Sequence, residues 1–207
     1  MADLYLNVSA IRRRTRVNGP GWRAAVWVQG CSIRCPGCFN PHTHPHQART
    51  LLDPEILADQ LVVEPGIEGI SILGGEPFEQ AAACARLAER ARSRGASVVT
   101  YSGYTSAYLR SCALDAVQAL LAATDLLVAG PFQRGRANDG QGWHGSTNQE
   151  LVFLTDRYDD AIRDQFSTVP VVEIRTDGTH GDITGIPTVE DIALVPRTSR
   201  RDPMSGC

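Results

Sequence analysis

Gly69-Ile70-Ser71-Ile72-Leu73-Gly74-Gly75-Glu76-Pro77 is an apolar run that stops on two glycines, a carboxylate and a proline. A short apolar run bounded by turn residues reads as a buried strand, and the Ala-rich segment 78–94 behind it reads as a helix that Gly95 ends. The same unit recurs on both sides. Upstream, the turn Asn18-Gly19-Pro20-Gly21 leads into a strand at Ala24-Ala25-Val26-Trp27-Val28-Gln29, and Asp53-Pro54-Glu55 caps a helix that runs to about Val62. Downstream come a strand over 97–101, the turn Ser102-Gly103-Tyr104-Thr105, one helix over 107–121 and a strand over 125–129 meeting Gly130-Pro131-Phe132. Strands alternating with helices predict a parallel sheet with right-handed crossovers, as a partial barrel or a doubly wound sheet. Both architectures put function at the C-terminal ends of the strands.

The strand over 24–29 runs into Gly30-Cys31-Ser32-Ile33-Arg34-Cys35-Pro36-Gly37-Cys38-Phe39-Asn40. Three cysteines at this spacing let a short loop bring three thiolates to one point, with Gly and Pro relieving the backbone, and the loop reads as a metal pocket. A structural zinc ion takes four protein ligands and an ordinary cubane cluster four cysteines; three cysteines on a cubane leave one iron open to a substrate or cofactor. Two other readings stand beside this one. His42, His44 or His46 would close a zinc knuckle, and two of the cysteines would pair as a disulfide. The run Pro41-His42-Thr43-His44-Pro45-His46 reads otherwise as a solvated, extended loop with no carboxylate nearby to orient its rings.

In isolation Gly74-Gly75-Glu76-Pro77 is a tight turn. It lies, however, one strand-helix unit after the cysteine loop and on the same sheet edge. Glycines there permit close backbone approach to a ligand, and the carboxylate or carbonyl oxygens accept hydrogen bonds from an ammonium group.

The chain has 207 residues, 43% of them hydrophobic and 21% charged, which suits one domain with a sizeable core. No apolar run approaches bilayer length and no signal-peptide core opens the chain, so a cytoplasmic protein is expected. A net charge of -3 leaves no electrostatic footprint for nucleic acid or an anionic membrane. The basic cluster Arg12, Arg13, Arg14 and Arg16 is a weak steering patch; Arg86, Arg90, Arg92 and Arg94, at helical spacing, read as a solvated face. Every basic residue is arginine. Schiff-base catalysis, pyridoxal phosphate anchoring and a Walker-type phosphate loop all need a lysine and drop out. Of the remaining cysteines, Cys84 and Cys112 fall in expected helices and read as small buried hydrophobes, and Cys207 is the last residue.

A short strand is expected around Leu4, Leu6 and Val8. Residues 133–149, rich in Gly, Asn, Gln and Arg, form a long loop of the functional kind, with Trp143 as a packing anchor. A strand over 151–154, a helix over 158–166, a strand over 171–175 and a polar end over 198–207 complete the chain.

In its cysteine loop the sequence resembles the radical S-adenosylmethionine enzymes, and among them the activating proteins of anaerobic ribonucleoside-triphosphate reductase. The resemblance continues through Asn18-Gly19-Pro20-Gly21-Trp22-Arg23, the Gly74 turn, Ser102-Gly103-Tyr104-Thr105, Leu127-Val128-Ala129-Gly130-Pro131-Phe132 and Trp143-His144-Gly145-Ser146-Thr147-Asn148-Gln149. Ala129 and His144 depart from it, standing where an acidic and a basic residue are expected, and the last quarter of the chain has no recognised counterpart. The resemblance implies an α/β fold: a partial (βα) barrel of parallel strands with outer helices over 1–155, and a C-terminal extension over 156–207 packed on the same domain. It implies a [4Fe-4S] cluster on Cys31, Cys35 and Cys38, with S-adenosylmethionine chelating the open iron. Gly37, Cys38 and Phe39 would lie along the nucleoside, Gly74, Gly75, Glu76 and Pro77 at the methionyl end, and Tyr101 and Ser102 beside the adenosyl group. The implied activity is reductive cleavage of S-adenosylmethionine to a 5'-deoxyadenosyl radical that removes a hydrogen from a glycine of a glycyl-radical partner enzyme. Flavodoxin or ferredoxin would donate the electron, and 133–149 would form the rim that meets the partner. Two alternatives remain: the same cofactor acting on a small molecule or peptide, with the extension shaping a closed pocket, and a non-catalytic zinc or iron-sulfur module.

Overall fold

In a computed structural model, which describes residues 4–138, 142–158, 172–176 and 181–185, nine strands and four α-helices follow one another among the described residues. They are β1 (Leu6–Thr15), β2 (Arg23–Val28), β3 (Thr50–Leu52), α1 (Pro54–Val62), β4 (Gly69–Gly74), α2 (Ala81–Ser93) and β5 (Ser97–Ser102). Then come α3 (Ser106–Ser111), α4 (Asp115–Ala122), β6 (Leu126–Ala129), β7 (Glu150–Phe153), β8 (Val172–Thr176) and β9 (Gly181–Gly185). The first seven strands form one sheet in the order β3-β1-β2-β4-β5-β6-β7.

Parallel pairing holds for β2, β4, β5 and β6, as the alternating pattern predicts. The expectation of an all-parallel sheet fails at its edges, where β1 lies antiparallel to β2 and β3, and β7 antiparallel to β6. The turn between β1 and β2 and the loop between β6 and β7 contain no crossover α-helix among the described residues, so those neighbours run in opposite directions. The strand expected near Leu6 is ten residues long, and register shifts between Val8 and Ala10 and between Arg12 and Thr15 bend it along β2. The short strand β3 was not expected. No closed barrel is traced among the described residues.

Asp53 caps α1 as its sequence predicts, accepting from the Glu55 and Ile56 amides at 2.9 and 3.0 Å. The segment read as one helix over 107–121 is two. Residues Cys112 and Leu114 are extended (ψ 123° and 121°), and the Gln118 side chain donates to the Leu109 and Cys112 carbonyls that α3 leaves open. Cys112 therefore sits at a helix end and is half-buried, whereas Cys84 in α2 is fully buried as expected.

The strands alternate between two faces. Val26, Ile72, Val98 and Leu127 point to one side, where they form a single core with Leu57 of α1, Leu87 of α2 and Leu120 of α4. Val99, Leu126 and Val128 point to the other and pack on Trp143 and Tyr158, so Trp143 is the packing anchor expected of it. The arginine face of α2 is not simply solvated. Glu55 and Asp59, one turn apart on α1, meet Arg86, Arg90 and Arg94 at 2.6, 2.8 and 2.9 Å, and the pairs set the register of one helix on the other. Arg90 first, then Arg94, holds the Asp59 carboxyl down at about 2.

Among the C-terminal expectations, the strand over 171–175 appears as β8, paired antiparallel with an unexpected β9. Thr15 donates to Glu173 at 2.7 Å, tying this hairpin to the end of β1. The helix expected over 158–166 lies outside the described residues apart from Tyr158, which is a buried bend; the polar end over 198–207 lies outside them altogether.

Candidate metal centre

The cysteine loop leaves the C-terminal end of β2, as its position after an apolar strand predicts, and is folded back on the chain that follows it. Gly30 and Cys31 donate to the Thr43 and His44 carbonyls at 2.7 and 3.1 Å. The buried Gln29 side chain donates to Pro45 at 2.6 Å, and Gln80 donates to the Gln29 and Asn7 carbonyls at 2.9 and 3.1 Å. The histidine run is thus not extended: Pro41–Thr43 is a turn of 3-10 helix. It also has a carboxylate beside it, because Glu79 lies 2.7 Å from His46 Nε2, a long-range approach that local sequence does not reveal.

Cys31, Cys35 and Cys38 are free thiols. They line one cavity of about 1080 Å³, together with Gly37 and Phe39 of the same loop. Gly74, Gly75 and Glu76 reach its wall from the end of β4, and Tyr101 and Ser102 from the end of β5. Pro77 does not; it is buried at the first position of the 3-10 turn Pro77–Gln80. The expected convergence of sulfur is incomplete, since among the described residues no three His, Cys, Asp or Glu side chains stand at metal-binding spacing. Burial pushes the Cys31 and Cys38 thiols up, against backbone N–H groups of Ile33, Arg34 and Asn40 that pull them down. Metal binding takes the proton from such a thiol, against that burial.

The two glycines of the turn answer to a different neighbour from the one their sequence suggests. A Cβ on Gly75 would lie 2.2 Å from the Gly30 carbonyl oxygen, and one on Gly74, at φ +103°, 2.6 Å from Trp27 Cα. Close approach of β4 to the start of the cysteine loop demands them, and the Gly75 and Glu76 amides hydrogen-bond Val28 and Gly30 at 2.8 Å each. The Glu76 carboxylate is buried and turned onto the β5 turn: it accepts from Ser102 Oγ at 3.0 Å and from the Gly103 and Phe78 amides at 2.8 and 2.9 Å. Its side chain is already engaged by those donors, while the turn's backbone still faces the cavity.

Burial pushes Glu76 from an ordinary 4.5 up to about 7, despite those hydrogen bonds. A carboxyl whose pKa is raised on folding stabilises the fold below its unfolded pKa, and that contribution is lost as pH rises through the folded one. Urea unfolding of the metal-free protein should therefore show about 3 kcal/mol lost from this group between pH about 4.5 and about 8, a slope that Glu76→Gln removes.

Residues that sequence reasoning passed over also shape the cavity. Asn18, which the sequence assigns no role in the site, is buried on its wall, and Asn18 Oδ1 has no hydrogen-bond partner among the described residues. Phe39 packs on Phe132 with ring centroids 4.9 Å apart, joining the cysteine loop to the start of the 133–149 loop. Thr184 and Gly185 of β9 line the far side. Tyr104, in the turn after β5, packs half-buried against the main core and stacks on Tyr108 at 5.0 Å.

The donors present are of the type an iron-sulfur cluster takes, thiols on one loop. The three cysteines line the cavity and no disulfide consumes them; His42 and His44 line it as well, and the carboxylate of Glu79 beside His46 Nε2 is the kind of partner that orients an imidazole. An α/β sheet with three free cysteines on one loop at the end of a parallel strand, opening onto a cavity, is the arrangement of a candidate metal centre. Residues 17–152 match the family described as a 4Fe-4S single cluster domain. The chain is 35% identical over 147 residues to the anaerobic ribonucleoside-triphosphate reductase-activating protein of Vibrio cholerae serotype O1, covering 67% of this chain and 92% of that protein. The protein of that name from Escherichia coli K12 is 30% identical over 146 residues, with the same coverage. A putative glycyl-radical enzyme activating enzyme of Haemophilus influenzae is 27% identical over 117 residues, covering 55% of this chain and 45% of that protein. The chain belongs to the radical S-adenosylmethionine family of glycyl-radical-activating proteins. Among the described residues no helix is long and apolar enough to cross a membrane.

Proposed function

We propose that this protein is an activase that cleaves S-adenosylmethionine reductively at a [4Fe-4S] cluster on Cys31, Cys35 and Cys38 and installs a glycyl radical on a partner enzyme resembling anaerobic ribonucleotide reductase. The observation that carries the reading is the opening of three free cysteines and the Gly74-Gly75-Glu76 turn onto one cavity. When bound and reduced, the cluster supplies one electron to the sulfonium and so yields the 5'-deoxyadenosyl radical. The chain's own residues do the rest. Gly37 and Phe39 border the nucleoside, backbone oxygens of the turn receive the methionyl ammonium, and Tyr101 with Ser102 closes the chamber from β5. A cavity of about 1080 Å³ exceeds the ~300–1,000 Å³ of ordinary ligand pockets, so a cofactor and an incoming loop both find room. The unpartnered Asn18 Oδ1 offers that loop an acceptor. Phe39, packed on Phe132, links the loop over 133–149 to the cysteines as the rim that meets the partner, and a flavodoxin or ferredoxin delivers the electron.

The test is anaerobic reconstitution with iron and sulfide, then incubation with S-adenosylmethionine, a low-potential reductant and the cognate glycyl-radical enzyme. Reductant-dependent 5'-deoxyadenosine and an electron paramagnetic resonance signal of a glycyl radical are expected. A second reading keeps the cofactor and replaces the partner by a small molecule or peptide. It is favoured by one observation, that Thr184 and Gly185 of the extension line the same cavity; the extension, 156–207, then packs on the same domain as a wall of the chamber. Robust 5'-deoxyadenosine without a glycyl radical on a competent cognate partner would select it. Zinc enclosed by the loop in oxygen-free material would sink both.

A further inference from the structure

We propose that Glu79 is a positioning residue for the cluster, holding both ends of the 31–46 segment with one carboxylate and setting the negative charge beside Cys31. The inference rests on the reading that the three cysteines carry the cluster.

Glu79 lies in the 3-10 turn Pro77–Gln80, just beyond the glycine turn, and its side chain is only 17% exposed. Oε1 accepts from the Ser32 amide at 2.9 Å, directly after Cys31. Oε2 lies 3.4 Å from Ser32 Oγ and 2.7 Å from Nε2 of His46, at the end of the histidine run. Cys35 and Cys38 fall between these two anchor points, and Cys31 immediately precedes the first. Tyr104 adds a longer bond from the β5 side, its hydroxyl donating to Oε1 at 3.4 Å. The backbone bonds from Gly30 and Cys31 to Thr43 and His44 bring the loop's ends together. Glu79 fastens that closure to the turn that follows β4, so the cysteines move with the cofactor end of the chamber and not independently of it.

The placement has an electrical consequence. An electron added to a cluster beside a fixed carboxylate enters a more negative potential, which makes the cluster harder to reduce; net charge and hydrogen bonding around the sulfurs are known levers on such potentials. Partial exposure screens the effect without removing it. A substitution that keeps the brace and removes the charge isolates this effect from any change in the loop's geometry.

Two substitutions separate bracing from charge. Glu79→Gln keeps an oxygen that accepts from Ser32 and removes the charge; Glu79→Ala removes both. In the metal-free protein, Glu79→Ala should speed amide hydrogen exchange at Ser32 and across 43–46 about tenfold, while Glu79→Gln stays near wild type and β4 and β5 exchange unchanged in both. In the reconstituted protein, redox titration followed by electron paramagnetic resonance should put the midpoint potential of Glu79→Gln more positive than wild type. Unchanged exchange in Glu79→Ala would overturn the bracing. An unmoved or more negative potential in Glu79→Gln would overturn the charge effect. If wild-type protein forms no [4Fe-4S] cluster, the charge half falls with the reading it depends on, and the exchange arm still decides the bracing half.

Discussion

Replacing Cys31, Cys35 or Cys38 singly by alanine should abolish the [4Fe-4S] signal and reduce 5'-deoxyadenosine to the level of a cluster-free control. The three thiols are the donors that open from one loop onto the chamber, and a cubane held by only two cysteines has lost a second protein ligand. The fold should survive. None of the three belongs to either hydrophobic cluster, and substitutions outside such cores usually change stability by about 1 kcal/mol or less. Cys84 supplies the contrast: it is fully buried in α2 within the main core, so Cys84→Ala should lower stability slightly and leave cluster loading intact. Iron and sulfide per chain, paramagnetic resonance and urea unfolding on the same samples separate loss of ligand from loss of fold. Full loading of any loop variant would remove that cysteine from the site.

Arg23→Ala should be the most destabilising single change in the sheet, costing about 4 kcal/mol or more by urea unfolding of the metal-free protein. Arg23 is fully buried at the start of β2, and its hydrogen-bond partners among the described residues are all neutral groups. Nε donates to Ser71 Oγ at 2.9 Å; Nη1 reaches the Pro20 carbonyl at 2.6 Å and the Ser97 and Tyr158 hydroxyls at 3.2 Å each; Nη2 reaches the Ile70 and Ser97 carbonyls at 2.8 and 3.1 Å. One planar fork therefore fastens β2 to β4, β5 and the segment after β7. Truncation leaves a hole and strands several buried acceptors, each of which carries its own desolvation cost. Arg23→Lys should recover only a small part of the loss, because an ammonium on a flexible stem cannot span the same set of acceptors. A loss below about 1 kcal/mol for Arg23→Ala would show that water or neighbouring side chains satisfy those groups unaided.

Glu79 and Arg23 show where reading the chain in one dimension stops. Both look ordinary in sequence: one is an acidic residue near the start of a helix, the other a basic residue at the mouth of a strand. Glu79 becomes notable only when β4 lies beside β2 and brings the turn after Gly74 against residues 32 and 46. Arg23 becomes notable only when Ser71 and Ser97, on two other strands, arrive beside it. The same limit explains the edge strands. Apolar periodicity marks β1 and β7 as strands but says nothing of direction, which follows from whether the connection carries a crossover helix. The composition of 107–121 favours helix throughout and so predicts one helix; the break after α3 is accompanied by side-chain bonds from Gln118 to the carbonyls it leaves open.

Local chemistry was enough for the central βα units, for the Asp53 cap and for the cysteine loop with its likeness to one enzyme family. Those features rest on contacts within a few residues, where spacing, capping and turn preference act directly. Tertiary structure alone decided which way the outer strands run, why Gly74 and Gly75 admit no side chain, and which carboxylate meets the histidine run. Each of these depends on chain segments tens of residues apart packing against one another, and no short window of sequence contains both partners.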